Sequence, residues 1–141
     1  MIRLGVDLGG RRVGLAICDA EEIVASPLGS LSVKSLREAV LAVTKAAADY
    51  GAGEVVVGLP LSMNGRRGPK AREAEAFADQ LRQAGLNVIL QDERLTTAEA
   101  ERALKASGMG RRERKKVVDA CAAQRLLATR LELARLPNRR S

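Results

Sequence analysis

The sequence predicts an α/β fold: a mixed five-stranded sheet, with three antiparallel strands followed by two parallel strands reached through βα crossovers, flanked by helices. Three observations lead there. Two apolar runs, at residues 2–8 and 12–18, flank Gly9-Gly10, which is a hairpin signal. Two short aliphatic runs, at 54–59 and 87–91, each follow a stretch with helical periodicity. The length, 141 residues, suits one domain with a single core. We assign that domain to 1–136 and read 137–141 as a short basic tail.

The elements follow in order. With Gly9 and Gly10 as the central turn residues, Val6 faces Val13, Leu4 faces Leu15 and Ile2 faces Ile17. Every large aliphatic then lies on one face, and Gly5, Asp7, Gly14 and Ala16 lie on the other. A loop of odd length would scramble this segregation. A third strand over roughly 22–32 is broken by Pro27 and Gly29 and belongs at an edge. Ser35 with Glu38 opens a helix as a capping box, with Leu36, Val40, Val43, Ala47 and Tyr50 as its apolar stripe and Gly51 as its stop.

Residues 54–59 contain Val55-Val56-Val57, a buried strand closed by Gly58 and Pro60. A helix over 69–84 turns Ala74, Phe77, Ala78 and Leu81 inward and stops at Gly85. Asn87–Gln91 forms the next buried strand. Thr96 with Glu99 caps a helix ending at Gly108, and a long helix from about 111 to 135 is stopped by Pro137.

Composition narrows the function. At 46% hydrophobic and 29% charged, the chain is globular rather than disordered. No apolar run approaches the ~18 residues of a membrane span, so no membrane role is expected. The opening MIRLGVDLGG has no export-signal pattern. Cys18 and Cys121 lie in apolar contexts without CxxC spacing, which suits a reduced cytoplasmic compartment. Histidine is absent, which excludes Ser-His-Asp and Cys-His triads, His-ligated zinc and an imidazole base.

The net charge of +7 is unevenly placed. Residues 1–108 are neutral, with 14 cations and 14 acids, whereas 109–141 hold 10 basic against 3 acidic residues. A clustered excess of this kind suits a polyanion, although an Arg-biased composition (18 Arg, 6 Lys) also produces solvated basic surfaces. Tyr50 and Phe77 are the sole aromatics, too few to build a stacking platform for bases. A nucleic-acid partner would therefore be gripped by its phosphate backbone.

Three acids stand out. Asp7 ends an apolar strand just before a glycine turn, where α/β sheets place ligands; a turn-forming Asp is the structural alternative. Glu93, in Gln-Asp-Glu-Arg-Leu-Thr-Thr, follows the last strand, and Asp92 should point the other way; an exposed acid paired with Arg94 is the alternative. Asp119 lies within Val-Val-Asp-Ala-Cys-Ala-Ala, a helical stretch where an unpaired Asp is costly. Its face carries Ala122, Ala123 and Leu126, and the two alanines permit close approach to the Gly5/Gly14/Ala16 face of the hairpin. Lys115 and Lys116 stand one turn earlier, placed for phosphates. A buried salt bridge to Arg12 or another cation is the lesser alternative for Asp119.

Three acids from separate elements converging on one face suit hard cations, Mg²⁺ or Mn²⁺, one or two in number. Such ions drive phosphodiester hydrolysis without histidine. The loop Gly58-Leu-Pro-Leu-Ser-Met-Asn-Gly-Arg-Arg-Gly68 lacks the GKS/T ending of a nucleotide-phosphate loop. Ser62, Asn64, Arg66 and Arg67 are offered instead to substrate, or simply to solvent.

GVDLGGRRVGLAICD (5–19), VVVGLPLSMNGRRG (55–68), DERLTTAEAE (92–101) and KKVVDACAAQRLL (115–127), in this order, resemble the RuvX/YqgF family across essentially the whole chain. The resemblance implies a ribonuclease H-like fold. It also implies a nuclease described either as a Holliday-junction resolvase or as maturing the 5′ end of precursor 16S ribosomal RNA. By matching positions, the acids are Asp7, Glu93 and Asp119. The Gly9 turn and the GLPLSMNG loop form the site rim. We read Arg12, Arg94, Lys115 and Lys116 as further substrate contacts. The fourth carboxylate of related resolvases is replaced by Ala122 and Ala123, which leaves one ion or two open. A resolvase making paired cuts would be a homodimer, whereas a processing ribonuclease acts as a monomer. Two other classes compete with the nuclease: a lobe of the actin and sugar-kinase ATPases, which Asp7-x-Gly9 also resembles, and a non-catalytic RNA-binding ribosome-assembly module.

Overall fold

The computed structural model describes residues 1–62, 64–93 and 122–135. The elements are β1 (Arg3–Leu8), β2 (Arg12–Cys18), β3 (Ala25–Ser32), α1 (Leu36–Tyr50), β4 (Glu54–Leu59), α2 (Pro69–Gln83), β5 (Val88–Asp92) and α3 (Ala122–Arg135). The helix expected over 96–108, and the first part of the long helix from 111, lie outside the described residues.

The sheet order is β3-β2-β1-β4-β5. β1, β2 and β3 pair antiparallel, while β1 with β4 and β4 with β5 pair parallel. This is the mixed sheet that the sequence predicts.

The hairpin register differs from the expected one by two residues. Leu8 faces Val13, Val6 faces Leu15 and Leu4 faces Ile17. Gly9 N donates to Arg12 O at 2.8 Å, so Gly10 and Arg11, not Gly9 and Gly10, occupy the turn. A shift of two preserves the side-chain parity, so both faces keep the residues expected of them. β3 is also corrected: it runs unbroken past Pro27 and Gly29, taking up the irregularity as a bulge at Leu28 opposite Leu15 and Ala16.

One face of the sheet packs on α1 and α2. Leu4, Val6, Val13, Leu15, Val55, Val57 and Val88 meet Ala39, Val43, Phe77 and Leu81 there in the larger core. The Ser35 hydroxyl caps α1 by accepting from Glu38 N at 3.1 Å, and Gly51 ends it at φ 67°. Ala39 is buried on α1, whereas Tyr50, expected in the stripe, is 48% exposed. At the last turn the inward arc has rotated past that position.

The other face packs on α3, through Ala16, Cys18, Val56, Ala123, Leu126, Leu127 and Leu131. The small residues of the hairpin make this docking close. A Cβ on Gly5 would stand 2.9 Å from Ala123 O and 3.0 Å from Leu127 Cβ, and one on Gly14 would stand 3.8 Å from Ala123 Cβ. Gln91 fastens the helix from β5, its Nε2 donating to Leu126 O at 3.0 Å.

Candidate active site

β1, β4 and β5 run in the same direction, so their carboxyl ends share one edge of the sheet. Side chains alternate along each strand, which places Asp7 of β1, Gly58 of β4 and Glu93 just beyond β5 on the face covered by α3. β4 separates the two acids, yet Glu93 reaches across it far enough for its carboxyl group to interact with that of Asp7. Gly58 makes this reach feasible, because the Glu93 side chain lies directly over its bare α-carbon.

The electrostatics of this pair are unusual. Burial, the hydrogen bond to Asp7 and the negative charges of Asp7 and Asp92 push Glu93 from the ordinary 4.5 up to about 7. Arg125 of α3 works in the opposite direction. Glu93 therefore keeps its proton further towards neutral pH than an ordinary glutamate does.

The amino edge of the same sheet offers a contrast. There the buried Glu54 is met by Arg3 Nε at 2.8 Å and by Arg130 Nε at 3.5 Å, and Arg3 also pairs with Glu22. A buried acid held by cations is an internal ion pair. An acid held against another acid is a site waiting for positive charge. Two facing carboxylates at a strand edge are the donor set that a hard dication takes, so the residues present fit Mg²⁺ or Mn²⁺. Asp119 lies outside the described residues, three positions before Ala122 in the chain.

The remaining candidates fall into three groups. Gly9 and Arg12 form the base of the hairpin turn at the site edge, with Arg12 exposed. The loop after β4 is held by its own side chains: Ser62 Oγ donates to Asn64 Oδ1, which also accepts from Arg66 N at 3.1 Å, and Ser62 N donates to Arg66 O at 3.1 Å. Ser62 and Asn64 thus shape the turn that displays the exposed Arg66, while Arg67 is paired with Glu75 at 2.7 Å. Arg94, Lys115 and Lys116 lie outside the described residues.

Sequence reasoning missed Arg125, and it placed Gly58 in the site rim only as the first residue of the GLPLSMNG loop. A glycine near a strand end reads as a terminator, and no local signal reveals which charge a helix will carry past an acid 32 positions earlier in the chain.

Comparison with known proteins bears on this geometry. A family model described as "RuvX: Holliday junction resolvase" matches residues 1–133. A protein of Desulforudis audaxviator named "Putative pre-16S rRNA nuclease" is 41% identical over 125 residues, covering 88% of this chain and 89% of its own. A protein of the same name from Anaeromyxobacter dehalogenans is 44% identical over 128 residues, covering 90% and 93%. Among solved structures, Thermus thermophilus RuvC in complex with a Holliday junction superposes with a TM-score of 0.63 over 96% of this chain and 95% of that one, at 18% identity. The likeness to RuvC establishes the ribonuclease H-like fold expected from the four motifs.

Proposed function

The chain belongs to the RuvX family, and from that premise we propose that it is a metal-dependent endonuclease cutting phosphodiester bonds of structured nucleic acid, with the 5′ end of precursor 16S ribosomal RNA as its substrate. The single observation that carries this reading is the Asp7–Glu93 pair, two carboxyl groups pressed together at the edge where three parallel strands end. Relatives at 41% and 44% identity share the precursor-rRNA name, which favours RNA over branched DNA.

In this reading Asp7 and Glu93 hold one divalent cation, with Asp119 as the third ligand. A divalent cation held there, Mg²⁺ or Mn²⁺, would supply the charge that activates a water and stabilises the leaving oxygen of the phosphodiester. Glu93 must release its proton to serve as a ligand, and Arg125 favours that release. Arg12 and Arg66 grip flanking phosphates from the two rims, and the basic residues of 109–141, Lys115 and Lys116 among them, add further neutralising charge. The two nucleic-acid classes differ in what they ask of assembly: paired cuts across a junction need a homodimer, and trimming one RNA end does not.

The test is a cleavage panel with Mg²⁺ or Mn²⁺ comparing precursor rRNA, a four-way DNA junction and linear duplex. Cuts at the rRNA 5′ end support the proposal. Paired symmetric cuts in the junction reassign it to a resolvase. Binding of RNA without cleavage of any substrate makes it an assembly module.

A further inference from the structure

We propose that Gly58 is a positioning residue for the nuclease reaction: its missing side chain is the space through which Glu93 crosses β4 to reach Asp7. The inference rests on the nuclease reading above. A Cβ built on Gly58 would stand 2.9 Å from both Glu93 Cγ and Glu93 Cδ, and a carboxylate oxygen of Glu93 lies closer still. Real Cβ atoms do not approach other atoms this closely, so an alanine here forces Glu93 aside.

Backbone conformation does not require this glycine. The described glycines with positive φ are Gly29, Gly51, Gly65 and Gly85, and Gly58 is not among them. Its place in β4 is costly for a strand, since glycine brings no side chain to pack and loses more entropy on ordering. Among the described residues, the three nearest atoms to its built Cβ all belong to the Glu93 side chain, the flexible end of one residue rather than backbone. Gly5 shows the opposite case. There the obstacle is the Ala123 backbone carbonyl at 2.9 Å, which moves only if α3 moves. Gly5 therefore serves packing, and Gly58 serves the site.

The space at Gly58 sets how far Glu93 can lean. β4 lies between β1 and β5, so a side chain on its site face would wall the two acids apart. With glycine there, the longer acid crosses and the shorter one, Asp7, waits on the far side. Displacement of about 1 Å in a reacting constellation costs on the order of 100-fold in rate.

The experiment compares Gly58→Ala, Glu93→Gln and the double variant in the full chain. Gly58→Ala should melt no lower than the wild type, and its crystal structure should show Glu93 swung away from Asp7. Its Mn²⁺ affinity, titrated without substrate by electron paramagnetic resonance, should fall at least about 10-fold, as it does when supports of a metal ligand are removed. Its kcat should fall on the order of 100-fold with KM nearly unchanged. In the Glu93→Gln background the alanine should cause no further loss of kcat.

An unfolded Gly58→Ala protein overturns the proposal, because Glu93 alone is held to stand in the way. So does an unmoved Glu93, wild-type Mn²⁺ affinity, or a full additional loss in the double variant. A wild-type protein that cleaves nothing defeats the nuclease reading instead, and the crystal structure of Gly58→Ala still decides where Glu93 goes.

Discussion

Asp7, on β1, and Glu93, just beyond β5, interact across β4 at the carboxyl edge of the sheet. Proteins seldom hold two acids together without a cation to justify it. Asp7→Asn leaves the shape intact and removes one charge and one ligand. Cleavage should fall by more than about 100-fold, beyond the loss seen when outer-shell partners of a metal are removed. Binding of RNA, followed by electrophoretic mobility, should persist or tighten.

Stability should depend on pH through Glu93. In the metal-free protein its pKa is raised from 4.5 to about 7, so the folded state holds this proton more tightly than the unfolded chain does. The stabilisation is complete below pH 4.5 and is lost as pH rises through about 7. After allowance for solvent screening of a half-buried group, this amounts to roughly 1–2 kcal/mol. Glu93→Gln should therefore raise Tm at pH 8 and flatten the pH profile; thermal melts at pH 5 and pH 8 check it.

Gly5→Ala tests the docking of α3. The added methyl meets the Ala123 carbonyl and the Leu127 side chain together, an overpacking that costs about 1–3 kcal/mol. Urea denaturation should show a lowered midpoint.

Ser35→Ala is the matching change away from the site. Loss of the cap that receives Glu38 N should cost about 1 kcal/mol in the same denaturation. Cleavage at temperatures well below Tm should be unaltered.

Salt dependence should separate the loop arginines. Arg67 already pairs with Glu75, while Arg66 is exposed on a turn braced by Ser62 and Asn64. Arg66→Ala should lower the slope of log K against log salt by about 1, and Arg67→Ala by less. Equal slopes for both variants would remove the distinction.

How far the sequence revealed this arrangement follows from what local pattern encodes. Alternation along 2–8 and 12–18 determines which residues share a face, and the observed faces agree. It cannot set the turn frame, because sliding the Gly9-Gly10 hairpin by two restores the same alternation; the bond from Gly9 N to Arg12 O makes that choice. The close approach of α3 was legible in Ala123 against Gly5 and Gly14, since small residues on both partners invite contact. Tyr50 misled because its spacing continues a stripe that the sheet has already left by the last turn. The GLPLSMNG motif put Gly58 at the rim, but its relation to Glu93, like that of Arg125, was invisible, because it exists only once β4, β5 and α3 are assembled.

The most direct measurement is a crystal of the full chain grown with Mn²⁺ and recorded at the manganese absorption edge. An anomalous peak is expected about 2.0–2.2 Å from one oxygen of Asp7 and one of Glu93. A map with no peak between them, and the two carboxyl groups still bonded to each other, would contradict it.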